Sequence, residues 1–125
     1  MQENYIELIL PMPISINKAY TWTTRRKKSD DYKGWELEAF FELKKQPTYN
    51  IKWDEWLFVE YEFNFTLFTL EWKKRIKDTW NFEKVLSDFL SKHIKGFEDH
   101  KIKTLLLKKI DNKNPFVKVK IKETV

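Results

Sequence analysis

With 125 residues, 42% of them hydrophobic and 17% aromatic, the chain is long enough for one cored domain and too apolar to stay disordered. It has no cysteine, which excludes disulfides and thiolate zinc sites, and its net charge of +5 is too moderate to single out nucleic acid by itself. No apolar run approaches the roughly 20 residues of a membrane span, and MQENYIELIL lacks a basic leader region, so a soluble, cytoplasmic, single-domain protein over residues 1–125 is expected.

In chain order, YIELIL at residues 5–10 predicts a strand with Ile6, Leu8 and Leu10 on one face, ended by Pro11 and Pro13. Residues 11–20 read as a loop, and residues 21–31 as a mobile basic segment. A helix starts at Ser29 or Asp30, both good N-caps. Tyr32, Trp35, Ala39, Phe40 and Leu43 form its apolar stripe, widened by Leu37 and Phe41, and Pro47 lies beyond its end near Lys45.

Residues 56–70 alternate strongly and predict a long strand. Leu57, Val59, Tyr61, Phe63, Phe65 and Leu67 face the core; Phe58, Glu60, Glu62, Asn64, Thr66 and Phe68 face solvent or a cleft. Residues 82–93 give the clearest helix, with Phe82, Val85, Leu86, Phe89, Leu90 and His93 at helical spacing. His93 reads as a packing residue at the helix end, and Gly96 as the left-handed residue beyond it. Residues 101–110 form a further strand, 111–115 a turn, and FVKVKIKE the last strand. In that strand Val117, Val119 and Ile121 point inward, and Lys118, Lys120 and Lys122 form a ladder on the other face. The expected fold is α+β in the order β-α-β-α-β-β, a small mixed or antiparallel sheet with two main helices on one side.

Two glycines rule out a glycine-rich phosphate loop, and neither a nucleophile elbow nor a cysteine nucleophile exists. The combination left is Asp78, Asn81 and Lys84 at the start of the second helix, with Glu98 and Asp99 after it. Magnesium needs only one or two carboxylates when waters and a substrate phosphate complete its shell. The helix over 82–93 spans about 18 Å. Residues 94–99, if extended, can return roughly 20 Å. The two acids therefore meet within one chain only if the segment after the helix doubles back; otherwise they meet across a dimer. The same residues also suit a helix cap and a polar turn. Arg25, Arg26, Lys27 and Lys28 form one basic cluster, and Lys73, Lys74, Arg75 and Lys77 another, either as solvated faces or as a phosphate-tracking surface.

Three segments together resemble the RusA-type Holliday junction resolvases of bacteria and their phages: LPMPISINKAY at 10–20, DTWNFEKVLSDFL at 78–90 and GFEDHKI at 96–102. The resemblance covers nearly the whole chain. It implies a RusA-like fold and a homodimer that nicks four-way or other branched DNA, in recombination and repair, with Mg2+ or Mn2+. It also implies Asp78, Lys84 and Asp99 as catalytic residues, and Asp78, Asp99 and Glu98 at the metal. DNA contacts would come from Asn17, Lys18, Asn81, Trp80 and the two basic clusters. One departure stands out: the family's second acid, two residues after Asp78, is Trp80 here, and an indole cannot bind a hard cation. Glu98, Glu83, Glu60 or Glu62 are the acids available to compensate, while Trp80 is suited to stacking on a base. The alternative is a catalytically degenerate member that binds DNA or a protein.

Overall fold

The computed structural model describes residues 5–15, 20–22, 26–48, 51, 53, 55–67 and 80–124. Strict alternation makes β1 (Tyr5–Leu10), whose Ile6, Leu8 and Leu10 are buried while Tyr5, Glu7 and Ile9 are exposed. The basic segment after it is not irregular as expected. β2 (Tyr20–Trp22) and β3 (Arg26–Lys28) pair as an antiparallel ribbon. Three-residue strands are too short to leave a periodic signal, so the ribbon is invisible without its partner.

Helix α1 runs over Asp30–Lys44 and is capped as predicted, with Ser29 Oγ accepting from the Tyr32 amide at 3.1 Å. Tyr32, Trp35, Ala39 and Leu43 are buried. Leu37 and Phe41 do not widen that stripe: both are 58% exposed. At 3.6 residues per turn they fall opposite Trp35 and Ala39, so helical geometry alone places them outside. Gln46, just past the helix, donates from Nε2 to Ile9 O at 2.8 Å and accepts from Ile9 N at 2.7 Å. Its side-chain amide thus satisfies backbone groups on the edge of β1, where a further strand would otherwise attach.

β4 (Trp56–Phe65) is shorter than predicted; it ends before Thr66, and residues 68–70 lie outside the described set. Helix α2 covers Trp80–His93, followed by a single 3-10 turn at Asp99–Lys101, then β5 (Ile102–Asp111) and β6 (Phe116–Thr124). The main sheet has the order β1-β6-β4-β5. β6 pairs antiparallel with β1 and β4, while β4 and β5 are parallel. That parallel pair requires a crossover, which α2 supplies. β5 and β6 are consecutive in sequence yet separated by β4. Residues 112–115 carry the chain past the end of β4, where Asn112 N donates to Phe65 O at 3.1 Å.

The domain is α+β, with a mixed four-stranded sheet whose core face lies under both helices. Leu8, Val59, Tyr61, Phe63, Val119 and Ile121 from the sheet meet Trp35, Leu86, Phe89 and Leu90 from the helices. The Trp35 and Phe89 rings join α1 to α2 edge to face at 5.1 Å. Among the described residues no helix is long and apolar enough to cross a membrane.

Candidate functional site

Helix α2 carries Glu83, Ser87 and Ser91 at i, i+4 and i+8, a nearly straight line along one helix face. Ser87 is buried and donates from Oγ to Glu83 Oε1 at 2.7 Å. Its proton is thereby committed, so the fully buried Tyr61 hydroxyl, 2.9 Å from Ser87 Oγ, is the donor of that second bond. Ser91 Oγ donates to Asp99 Oδ1 at 3.2 Å. The segment after α2 therefore folds back onto the last turns of the helix, but Ser91 lies about 16 Å along the axis from Trp80, so this contact does not carry Asp99 back to the N-terminal end as the sequence condition required. Burial pushes the Tyr61 phenol well above its ordinary pKa. The Ser87 bond works against that shift, and the negative charges of Glu83, Asp99 and Asp88 add to it.

Gly96 makes this return turn possible. Its φ is +99°, and a Cβ there would sit 2.6 Å from Trp53 Cβ. Trp53 is fixed from three sides: its amide donates to Glu123 Oε1 at 2.9 Å, its indole to Thr48 O at 3.3 Å, and its carbonyl accepts from Lys101 Nζ at 2.7 Å.

The two neighbouring acids after α2 do not converge. Asp99 faces Ser91, whereas Glu98 faces His100 Nε2 at 3.2 Å and Lys101 Nζ at 3.7 Å. Lys84 is 58% exposed and lies 3.4 Å from Asp88. Asn81 is half-buried in the first turn of α2. Asp78, Asn17, Lys18, Arg25, Lys73, Lys74, Arg75 and Lys77 lie outside the described residues, as do the side chains of Arg26 and Trp80. Lys27 is exposed. Lys28 bonds Glu36 at 3.3 Å and sits 4.9 Å from the centre of the Tyr32 ring, so it ties β3 to α1. The described residues contain no group of three or more His, Asp or Glu side chains able to hold a metal ion.

Glu60 and Glu62 cannot compensate for Trp80. They lie on the sheet face opposite the helices and Asp99, but Glu60 is buried there, as is Asn64, rather than open to solvent or a cleft as the strand alternation predicted, because long side chains of the neighbouring strands cover it. There Glu60 meets Lys108 at 3.0 Å and Lys120 at 3.4 Å, and Glu62 meets Lys120 at 3.5 Å. Burial works to raise the Glu60 pKa, but the two lysines outweigh it and hold the carboxylate below its usual range. The lysine ladder of β6 is thus balanced by the glutamates of β4. The residues missed on reading the sequence are Tyr61, Ser87 and Ser91. The signal available was the E-x3-S-x3-S spacing on α2 facing a strand tyrosine that must find a partner once buried.

No protein-family model matches the chain, and no curated protein matches it. A groove of about 500 Å³ lies between the C-terminal ends of the two helices. It is lined by residues including Lys44, Gln46, His93 and Ile94 and contains none of the site residues above.

Proposed function

We propose that the chain is a RusA-like, magnesium-dependent endodeoxyribonuclease that resolves four-way junctions and related branched DNA as a cytoplasmic homodimer. The observation that supports this reading is the return of Asp99 to α2, held there by Ser91. That contact lies near the C-terminal end of α2, about 16 Å along the helix from Trp80, so the reading further requires the segment bearing Asp78 to approach Asp99 from the other end. Asp78 and Asp99 would hold the cation; the described residues alone do not complete its shell, so the reading requires Asp78. Bound Mg2+ would supply Lewis-acid activation of water and neutralise charge on the scissile phosphate. Lys84, exposed beside Asp88, is free to swing onto a phosphate oxygen, because an exposed pair at this spacing contributes only ~0.5 kcal/mol. The hydroxyl chain from Tyr61 through Ser87 keeps Glu83 turned along the same helix face.

The second reading is a non-cleaving binding protein. It is favoured by Trp80 in place of an acid and by the diversion of Glu98 to His100 and Lys101. One assay separates them. Purified protein, Asp99→Asn and Asp78→Asn are incubated with labelled four-way junctions and Mg2+ or Mn2+. The nuclease reading requires symmetric nicks by the parent protein alone. Binding without products under either ion supports the second reading, and equal cleavage by all three proteins refutes the role given to the two acids.

A further inference from the structure

The two edges of the main sheet are finished differently. At β1 the Gln46 side chain bonds both Ile9 N and Ile9 O. At the other edge β5 pairs with β4 alone, and among the described residues no strand lies on its far side. The pairing of β5 with β4 skips Lys103 and then runs without a break from Thr104 to Asp111. Apolar side chains fall on both faces of this stretch. Leu105 and Leu107 pack only partly against the core, while Leu106 and Ile110, on the opposite face, are 40% and 38% exposed. A consecutive apolar run that uses both faces is the pattern of an interior strand, not of a sheet margin. Charge frames the run. Residues 101–111 hold four lysines and one aspartate. Lys101 is engaged by Trp53 O and Glu98, and Lys108 by Glu60. Lys103 and Lys109, one on each side of the leucines, are exposed and make no ion pair among the described residues.

We propose that the β5 edge docks an acidic, extended peptide segment of another protein, which adds to the main sheet as a further strand. The main-chain groups on the open side of β5 supply the binding energy, as in other cases of strand addition. Successive side chains of the incoming strand point to opposite faces. Apolar residues on it would cover Leu105 and Leu107 on one face and Leu106 and Ile110 on the other, and acids near its ends would meet Lys103 and Lys109. The lysines select the partner. Two copies of β5 laid side by side would bring four lysines of one strand against four of the other, and like charges directly opposite each other are destabilising. A nucleic acid would satisfy the lysines but leave the leucines uncovered and the backbone groups without a ladder. An acidic strand satisfies all three features together. The inference stands on the sheet edge and does not depend on the nuclease reading.

The test titrates the full chain against two labelled eight-residue peptides, one alternating valine with glutamate and one alternating valine with lysine, and follows fluorescence anisotropy. The acidic peptide is expected to bind roughly tenfold tighter or more, and to slow amide exchange in β5. Lys103→Glu/Lys109→Glu, at two exposed positions and checked for folding by circular dichroism, should reverse the preference. A second measurement leaves the protein untouched. N-methyl groups on alternate residues of the acidic peptide remove the donors along one of its edges at a time. One methylated peptide should lose binding and the other keep it, because only one edge of an added strand faces β5. Methylated peptides that behave alike would reduce the contact to charge attraction and overturn the proposal. It is equally overturned if the acidic peptide does not bind at about 1 mM, if the added exchange protection falls outside β5, or if the folded charge variant keeps the parent's preference.

Discussion

Ser87→Ala leaves the Tyr61 hydroxyl, at 0% exposure, with no acceptor for its proton. An orphaned buried donor costs about 1–3 kcal/mol. Alanine recovers about 0.5 kcal/mol of helix propensity, and Glu83, only partly buried, regains water. Tyr61→Phe is milder, at ~1 kcal/mol, because Ser87 keeps its bond to Glu83. The sharper expectation concerns the pair. In the Ser87→Ala background, adding Tyr61→Phe removes the orphaned group and should raise stability, by on the order of 1 kcal/mol. Urea denaturation of the four proteins at neutral pH, followed by far-UV and near-UV signals, measures the cycle. If Tyr61→Phe destabilises the Ser87→Ala protein as much as it does the parent, the two hydroxyls are not coupled and the assigned donor direction is wrong.

Gly96→Ala should lose at least ~2 kcal/mol, since the positive φ strains any Cβ and that Cβ collides with Trp53; Gly96→Asn should not rescue it, and thermal melts compare the three. Gln46→Ala removes two hydrogen bonds from the β1 edge and should cost about 1–2 kcal/mol, with faster amide exchange at Ile9 as the local readout. His93 gives an acid-side dependence. Burial lowers its pKa, with Lys92 and Lys28 acting in the same direction, and this outweighs the opposing pull of Glu36 3.8 Å away. The unfolded chain then takes up the proton first, so stability should fall as pH drops through the ordinary histidine value of 6.5, and His93→Phe should flatten that slope in denaturation at several pH values. Tyr61 gives the alkaline counterpart. Its raised pKa means that the unfolded state loses the proton first, so stability should decline above about pH 10, less steeply in Tyr61→Phe.

Local pattern was enough wherever one element carries its own signal. Strand alternation in 5–10, 56–65 and 116–124 and the apolar stripe of α2 follow from which side chains must leave water, and the Ser29 cap from an oxygen one turn before free amides. The helical positions of Leu37 and Phe41 were equally readable, and were misassigned by counting hydrophobicity rather than angle. Other features had no local trace. The β2–β3 ribbon exists only through its cross-strand pairing, and β4 lies between β5 and β6 because α2 carries β5 to the far edge.

The candidate site divides in the same way. Sequence order brought out Asp99 and Glu98 as neighbours in one polar turn, but not that one would face Ser91 and the other His100. Sidedness likewise marked Glu60 and Glu62 as outward, without showing that Lys108 and Lys120 from two different strands neutralise them. The sequence by itself determined most of the apolar core and where most elements run, because the periodicity that marks a buried face acts over a few neighbouring residues. Only the tertiary structure decided which charges pair, since long side chains choose among partners that the sheet order, and not the chain order, makes adjacent.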